Sequence, residues 1–200
     1  MVIRLLWSPG APSVSRDRAG WYVNSSARVE VMFVTNHVLS GVIIGKVFER
    51  RPVAAFLAGV GSHLVLDAIP HWGCDFEAEG GPQRFFQVAR RDGLLGLGVM
   101  ATVAVAIDRK ARVSTVAAMA GAALLDLDKP ASMLLGIQPF PEAITRIHRR
   151  IQNESTDGLP KEMAYGLLFA LVDSVIVSRS RQDRSAPLLG QRAQELIDRC

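Results

Sequence analysis

The chain has 200 residues, 49% hydrophobic and 21% charged, with a formal net charge of +4. This is one domain's worth of chain, able to bury a core, and its composition excludes a disordered or collagen-like polymer. Cys74 and Cys200 stand far apart and match no metal or redox spacing, so a disulfide framework is excluded. The basic residues fall in short clusters between apolar blocks, not in a stripe interleaved with aromatics, which speaks against nucleic acid as a partner.

Residues 1–31 read as a disordered arm. Arg4 is followed only by Leu5, Leu6 and Trp7 before Pro9 and Pro12 interrupt, too little for a signal peptide. Met32 stands directly before the first apolar block, so the arm reads equally as a gene-model extension upstream of a start at Met32.

Five apolar segments of helix length follow, at 33–48, 53–70, 93–107, 113–127 and 163–178. They predict an all-α fold, a polytopic membrane bundle of about five helices over 32–178, with a polar tail over 179–200 that ends in a short amphipathic helix. The second segment runs from just after Pro52 to Pro70, as helices bounded by proline do. The fourth is rich in Ala and Gly, which permits close helix contact. Each block is shorter than the roughly 20 residues of a comfortable membrane span, so a soluble bundle is the alternative. A soluble helix needs a polar stripe, whereas Gly93 to Ile107 offers only Thr102, and Val113 to Leu125 only Ser114 and Thr115. The mean hydropathy of +0.21 averages these blocks with two polar ends.

Threading five spans puts Lys46, Arg50, Arg51, Arg109, Lys110, Arg112, Arg179, Arg181 and Arg184 on one side, which the positive-inside rule makes cytoplasmic. The long 71–92 and 128–162 loops, with Arg84, Arg90, Arg91, Arg149 and Arg150, fall on the other.

The sharpest local pattern is His63-x-x-x-Asp67-x-x-x-His71, since residues four apart share a helix face. Pro70 puts His71 at or just past the helix end. Imidazole and carboxylate are ligands of Zn and other divalent transition metals. The same threading brings His37 (start of the first helix), Asp67 and His71 (end of the second), Asp92 (start of the third), Asp126 and Asp128 (end of the fourth) and His148 (loop before the fifth) toward one side. Ionisable groups at membrane depth are costly and usually mark function. Plainer readings stand beside this one: His37 as a capping residue, Asp126 and Asp128 as a helix stop ahead of Lys129-Pro130, and His63 with Asp67 as a pair tying two helices. Asp173 reads as polar glue, and Arg149 and Arg150 as loop charges.

Thr35-Asn36-His37 with Gly41, Ser62-His63-x-x-x-Asp67 with Pro70-His71, Leu125-Asp126-Leu127-Asp128 and His148-Arg149 together resemble the LexA-regulated inner-membrane proteins classed as metal-dependent hydrolases, over about residues 33–178. Leu125 stands where that family has Pro, and Arg150-Ile151-Gln152 lacks its Thr-His-Ser. A weaker similarity is to zinc-dependent phospholipases C; four histidines limit the load here to one or two ions. The resemblance implies a multi-pass protein of the bacterial inner membrane, in contact with the lipid bilayer, that uses a divalent ion, Zn first, to hydrolyse a phosphoester or lipid-related substrate. It makes His63, Asp67, His71 and His148 the preferred ligands, with His37 as ligand or orienter. Asp126 or Asp128 acts as general base or completes the shell, and Asp92 is a ligand or supports one. Arg149 and Arg150 would hold an anionic group. The competing class is a non-enzymatic integral membrane protein with a structural ion site or an ion-conducting or proton-conducting polar cluster, although transporters place such groups near mid-bilayer.

Overall fold

The computed structural model describes residues 29–30, 32–74, 81–155 and 157–197. Most of the N-terminal arm therefore lies outside the described residues.

The chain is mostly helical. Seven α-helices occur among the described residues: α1 (Val34–Val47), α2 (Pro52–Asp67), α3 (Gly81–Ala106), α4 (Arg109–Ala123), α5 (Asp128–Leu135), α6 (Glu142–Ile151) and α7 (Leu159–Ile197). A short 3-10 turn, Leu125–Leu127, joins α4 to α5. Three small strands interrupt the helices: β1 (Val29–Glu30), β2 (His71–Cys74) and β3 (Glu154–Ser155). β2 pairs antiparallel with β1 and parallel with β3.

Several sequence expectations change in detail. The arm expected over 1–31 contributes β1, and Met32 is buried at 1% exposure. The third apolar segment is the second half of a longer helix: α3 starts at Gly81, so Asp92 lies within it and not at its start. The 128–162 stretch, read as a loop, holds α5 and α6. The tail expected from 179 continues α7 to Ile197.

α4 is the central element, flanked by α1 and α2. Small residues bring the backbones together. A Cβ at Gly45 would stand 2.1 Å from Thr115 Cα, and one at Gly41 would stand 2.6 Å from Met119 Cα. On the other flank a Cβ at Gly121 would meet Phe56 O at 2.2 Å. His37, Gly41 and Gly45 are spaced by four, so the face of α1 that touches α4 also carries His37. Val38, Val42, Val103, Ile107, Ala111 and Met119 form the core between α1, α3 and α4.

The two ends of the bundle are fastened differently. At one end, Asp108 caps α4 by accepting from Ala111 N at 2.9 Å, and also accepts from Lys46 Nζ at 2.7 Å and Ser180 Oγ at 3.3 Å. At the other, α1 has no capping side chain of its own, and carboxylates from distant helices supply the acceptors. Asp92 of α3 accepts from Val34 N at 2.6 Å and Thr35 Oγ1 at 2.5 Å; Glu162 of α7 accepts from Phe33 N and, at 3.1 Å, from Trp72 N.

Within α7, Leu159–Gln182 is the one stretch among the described residues that is long and apolar enough to cross a membrane. Its most apolar window is only 11% buried, unlike the core helix of a soluble protein.

Candidate metal centre

The last turns of α2 carry His63 and Asp67 one turn apart, facing α4. His63 Nδ1 lies 2.6 Å from the carbonyl oxygen of Ala122. A carbonyl only accepts, so Nδ1 carries the proton and donates it, leaving the Nε2 lone pair free to face the cluster.

α6 brings the second imidazole. The residue two beyond its end, Asn153, donates its N–H to Asp67 O at 2.9 Å, while its carbonyl accepts from His71 N at 3.1 Å. With the β2–β3 pairing, these bonds fix the end of α6 against the end of α2. His148, buried on the inner face of α6, then meets His63 and Asp67. Asp67 Oδ2 lies 3.1 Å from His63 Nε2 and 2.9 Å from His148 Nε2, and the two nitrogens are 3.0 Å apart.

Three electron-rich atoms in so small a triangle require a positive centre between them, either a proton or a cation. A tetrahedral zinc ion with bonds of about 2.0–2.1 Å holds its ligand atoms roughly 3.3 Å apart. The triangle therefore has nearly the size of one tetrahedral face. Without an ion, a proton on His148 does the work. Burial disfavours its charge, but Asp128 and Asp67 outweigh burial and raise the imidazole to about 9.

His37 stacks on His63, with ring centroids 4.0 Å apart. Its Nε2 lies 3.2 Å from Asp67 Oδ1 and 3.7 Å from Asp126 Oδ2, and makes a well-directed hydrogen bond with neither. Asp126 Oδ1 is 3.6 Å from Lys129 Nζ, and Asp128 Oδ2 is 3.8 Å from His148 Nδ1. Beside that triangle, two other groupings have their donor atoms within 4.8 Å of one another and could hold an ion: His37, His63 and Asp67; and His63, Asp126 and His148.

The remaining sequence candidates sit elsewhere. His71 is fully buried but belongs to neither donor group; it opens β2 and its Nδ1 meets Ile69 O at 2.8 Å. Pro70 is the reason, because the helix ends at Asp67 and His71 is carried off the face it was expected to share. Asp92 caps α1 and spends its oxygens on Val34 and Thr35. Arg149 and Arg150 are exposed on the outer side of α6. His148 sits on a helix and not in a loop.

Two participants were missed in the sequence. Glu162, fully buried, ties the entry of α1 to β2. The Ala122 carbonyl that orients His63 is a backbone group, for which side-chain patterns give no signal. Comparison of the chain with protein-family models, curated proteins and solved structures finds no match.

Proposed function

We propose that the chain is a multi-pass protein of the bacterial inner membrane that binds a divalent ion, Zn first, and hydrolyses an anionic phosphoester or lipid-related substrate. The observation that carries the metal is the triangle of His63 Nε2, His148 Nε2 and Asp67 Oδ2, whose edges are 2.9–3.1 Å, with His63 oriented by Ala122 O. Two imidazoles and a carboxylate are the protein donor set of many hydrolytic zinc sites, in which water takes the fourth position. When bound, such an ion supplies Lewis-acid activation of water at neutral pH.

The chain's own residues divide the remaining work. Asp126 and Asp128 lie at the cluster's more accessible edge, with side chains 10% and 13% exposed, where they can take up a proton. Arg149 and Arg150 follow His148 directly and point to the outside, placed to attract an anionic group. The hydrolytic reading itself rests on the resemblance of the His, Asp and His-Arg elements.

Membrane embedding is supported by what the helices expose. α2 presents Val53, Leu57 and Val65 outward; α3 presents Leu94, Leu95, Leu97 and Val105; α7 presents Met163, Leu167, Leu168 and Leu171. α6 inverts the soluble pattern: Thr145 and His148 are buried while Ile144 and Ile147 are exposed. Apolar surface on so many elements suits an apolar solvent.

One observation favours a second reading, a closed structural ion: His37, His63, Asp67 and His148 are each at most 2% exposed. Metal analysis of detergent-purified protein beside a His63→Ala, Asp67→Ala double variant tests the site, and unchanged metal content would reject it. Turnover of phosphoester or lipid substrates that disappears in the double variant supports the hydrolase. Metal without turnover, with melting on chelation, supports the structural ion. Loss of the protein from carbonate-washed membranes would reject the embedding.

A further inference from the structure

We infer that the cluster is built for two ions, with Asp67 bridging them. One would sit on His63, His148 and Asp67 Oδ2; the second on His37, Asp126 and Asp67 Oδ1. This rests on the metal-centre reading above and extends it.

The first ground is the division of labour at Asp67. Its Oδ2 faces His63 and His148 at 3.1 and 2.9 Å, whereas Oδ1 faces His37 at 3.2 Å. A carboxylate that turns each oxygen to a different imidazole set is arranged as a bridge.

The second ground is supply. His37, His63, His148, Asp67, Asp126 and Asp128 bring six side chains together, more than the four that a tetrahedral ion takes. An ion on His63, His148 and Asp67 Oδ2 would leave His37, Asp126 and Asp67 Oδ1 beside it.

The third ground is which atoms are left over. His37 Nδ1 and Nε2, Asp67 Oδ1 and Asp126 Oδ2 are among the buried side-chain atoms that make no well-directed hydrogen bond, a set that among the described residues also includes the hydroxyls of Ser114, Thr115 and Thr145. Buried polar atoms are rarely left this way, because each forfeits its hydration. His37 Nε2, Asp67 Oδ1 and Asp126 Oδ2 are the three atoms that a second ion would use. His37 is completely buried, so bulk solvent does not reach its ring. The stacking of His37 on His63, centroids 4.0 Å apart, sets the two imidazoles side by side, each beside a different oxygen of Asp67.

The test titrates Co²⁺ into the detergent-purified, ion-free full chain, followed by visible absorption and by electron paramagnetic resonance. The visible bands are expected to saturate at two equivalents, and the resonance signal of the first Co²⁺ is expected to weaken as the second binds, because adjacent ions couple magnetically. His37→Ala is expected to saturate at one equivalent with the first affinity retained and no loss of signal. The wild-type coupling needs no variant and so survives any misfolding of His37→Ala. Saturation at one equivalent, or two equivalents without coupling, overturns the bridge and leaves a single-ion centre standing. No bound Co²⁺ overturns the bridge and the metal-centre reading together.

Discussion

On the proposed reading, an ion at the cluster has to displace the proton that His148 holds in the ion-free protein, and this sets a measurable pH dependence. Burial alone would lower the imidazole, but Asp128 and Asp67 hold it at about 9. Each pKa unit is worth about 1.36 kcal/mol, so removing that proton at neutral pH costs about 2.7 kcal/mol, roughly 100-fold in apparent affinity. Zinc affinity is therefore expected to rise about tenfold between pH 7 and pH 8, with about one proton released per ion. An imidazole left near its ordinary value of about 6.5 would give an almost flat curve over that interval. Competition against a chromophoric chelator measures the slope, and calorimetry in buffers of different ionisation enthalpy counts the proton. The sign for the ion-free protein is opposite. Because the folded value lies above the unfolded one, the stabilisation is complete below about pH 6.5 and is lost as pH rises through about 9. Ion-free protein should thus melt higher at mildly acidic pH than above pH 9. A flat zinc affinity from pH 7 to pH 8 with no proton released would refute the assignment of His148 as a ligand that is protonated until the ion binds.

Three further perturbations probe the rest of the molecule. Gly45→Ala puts a methyl group 2.1 Å from Thr115 Cα, a backbone atom that cannot turn aside, and overpacking of about 1–3 kcal/mol is expected as a lower melting temperature; an unchanged melt would show that α1 and α4 are not so close. Asp92→Ala removes the acceptor for Val34 N, Thr35 N and Thr35 Oγ1, so about 1–3 kcal/mol of stability should go while metal content stays constant, and lost metal would make Asp92 a ligand after all. Leu171→Arg on the outer face of α7, 59% exposed, should cost about 2.5–3.5 kcal/mol of insertion against lipid, read as a fall in the carbonate-resistant fraction; a water-facing residue would tolerate it.

Helices are legible in the sequence wherever apolar residues run together, and are hidden where a helix buries polar groups. α2 was framed by Pro52 and Pro70 and was found at Pro52–Asp67. The first half of α3 reads as a loop because of Arg84, Arg90 and Arg91, yet Phe85 and Asp92 are buried seven residues apart, which is a helix face once Asp92 is allowed to point inward. α6 hides for a related reason: its inner face is Thr145 and His148, and its isoleucines look outward, so neither helix nor core was legible. His63 and Asp67 were legible as a pair because their spacing is local. That His148 joins them, and that His71 does not, depends on hydrogen bonds between Asn153 and the end of α2, more than eighty residues away in the chain. Pairings at that separation leave no periodic trace.

The placement of the cluster bears on the choice between chemistry and transport. α1, α2 and α4 have 14, 16 and 15 residues, which at 1.5 Å per residue is about 21–24 Å, short of a hydrocarbon core of about 30 Å. His37 lies in the first turn of α1, Asp67 ends α2, and Asp126 follows the end of α4, so the donors collect at one end of these helices. On the proposed membrane reading, that end lies near the headgroups. A transporter needs its ion near the midplane, reachable from both sides in turn. This cluster is instead held between short helices and the inner face of α6, whose outer face offers isoleucines beside Arg146, Arg149 and Arg150. On the same reading, such a surface suits an anionic, partly apolar molecule arriving from the interface.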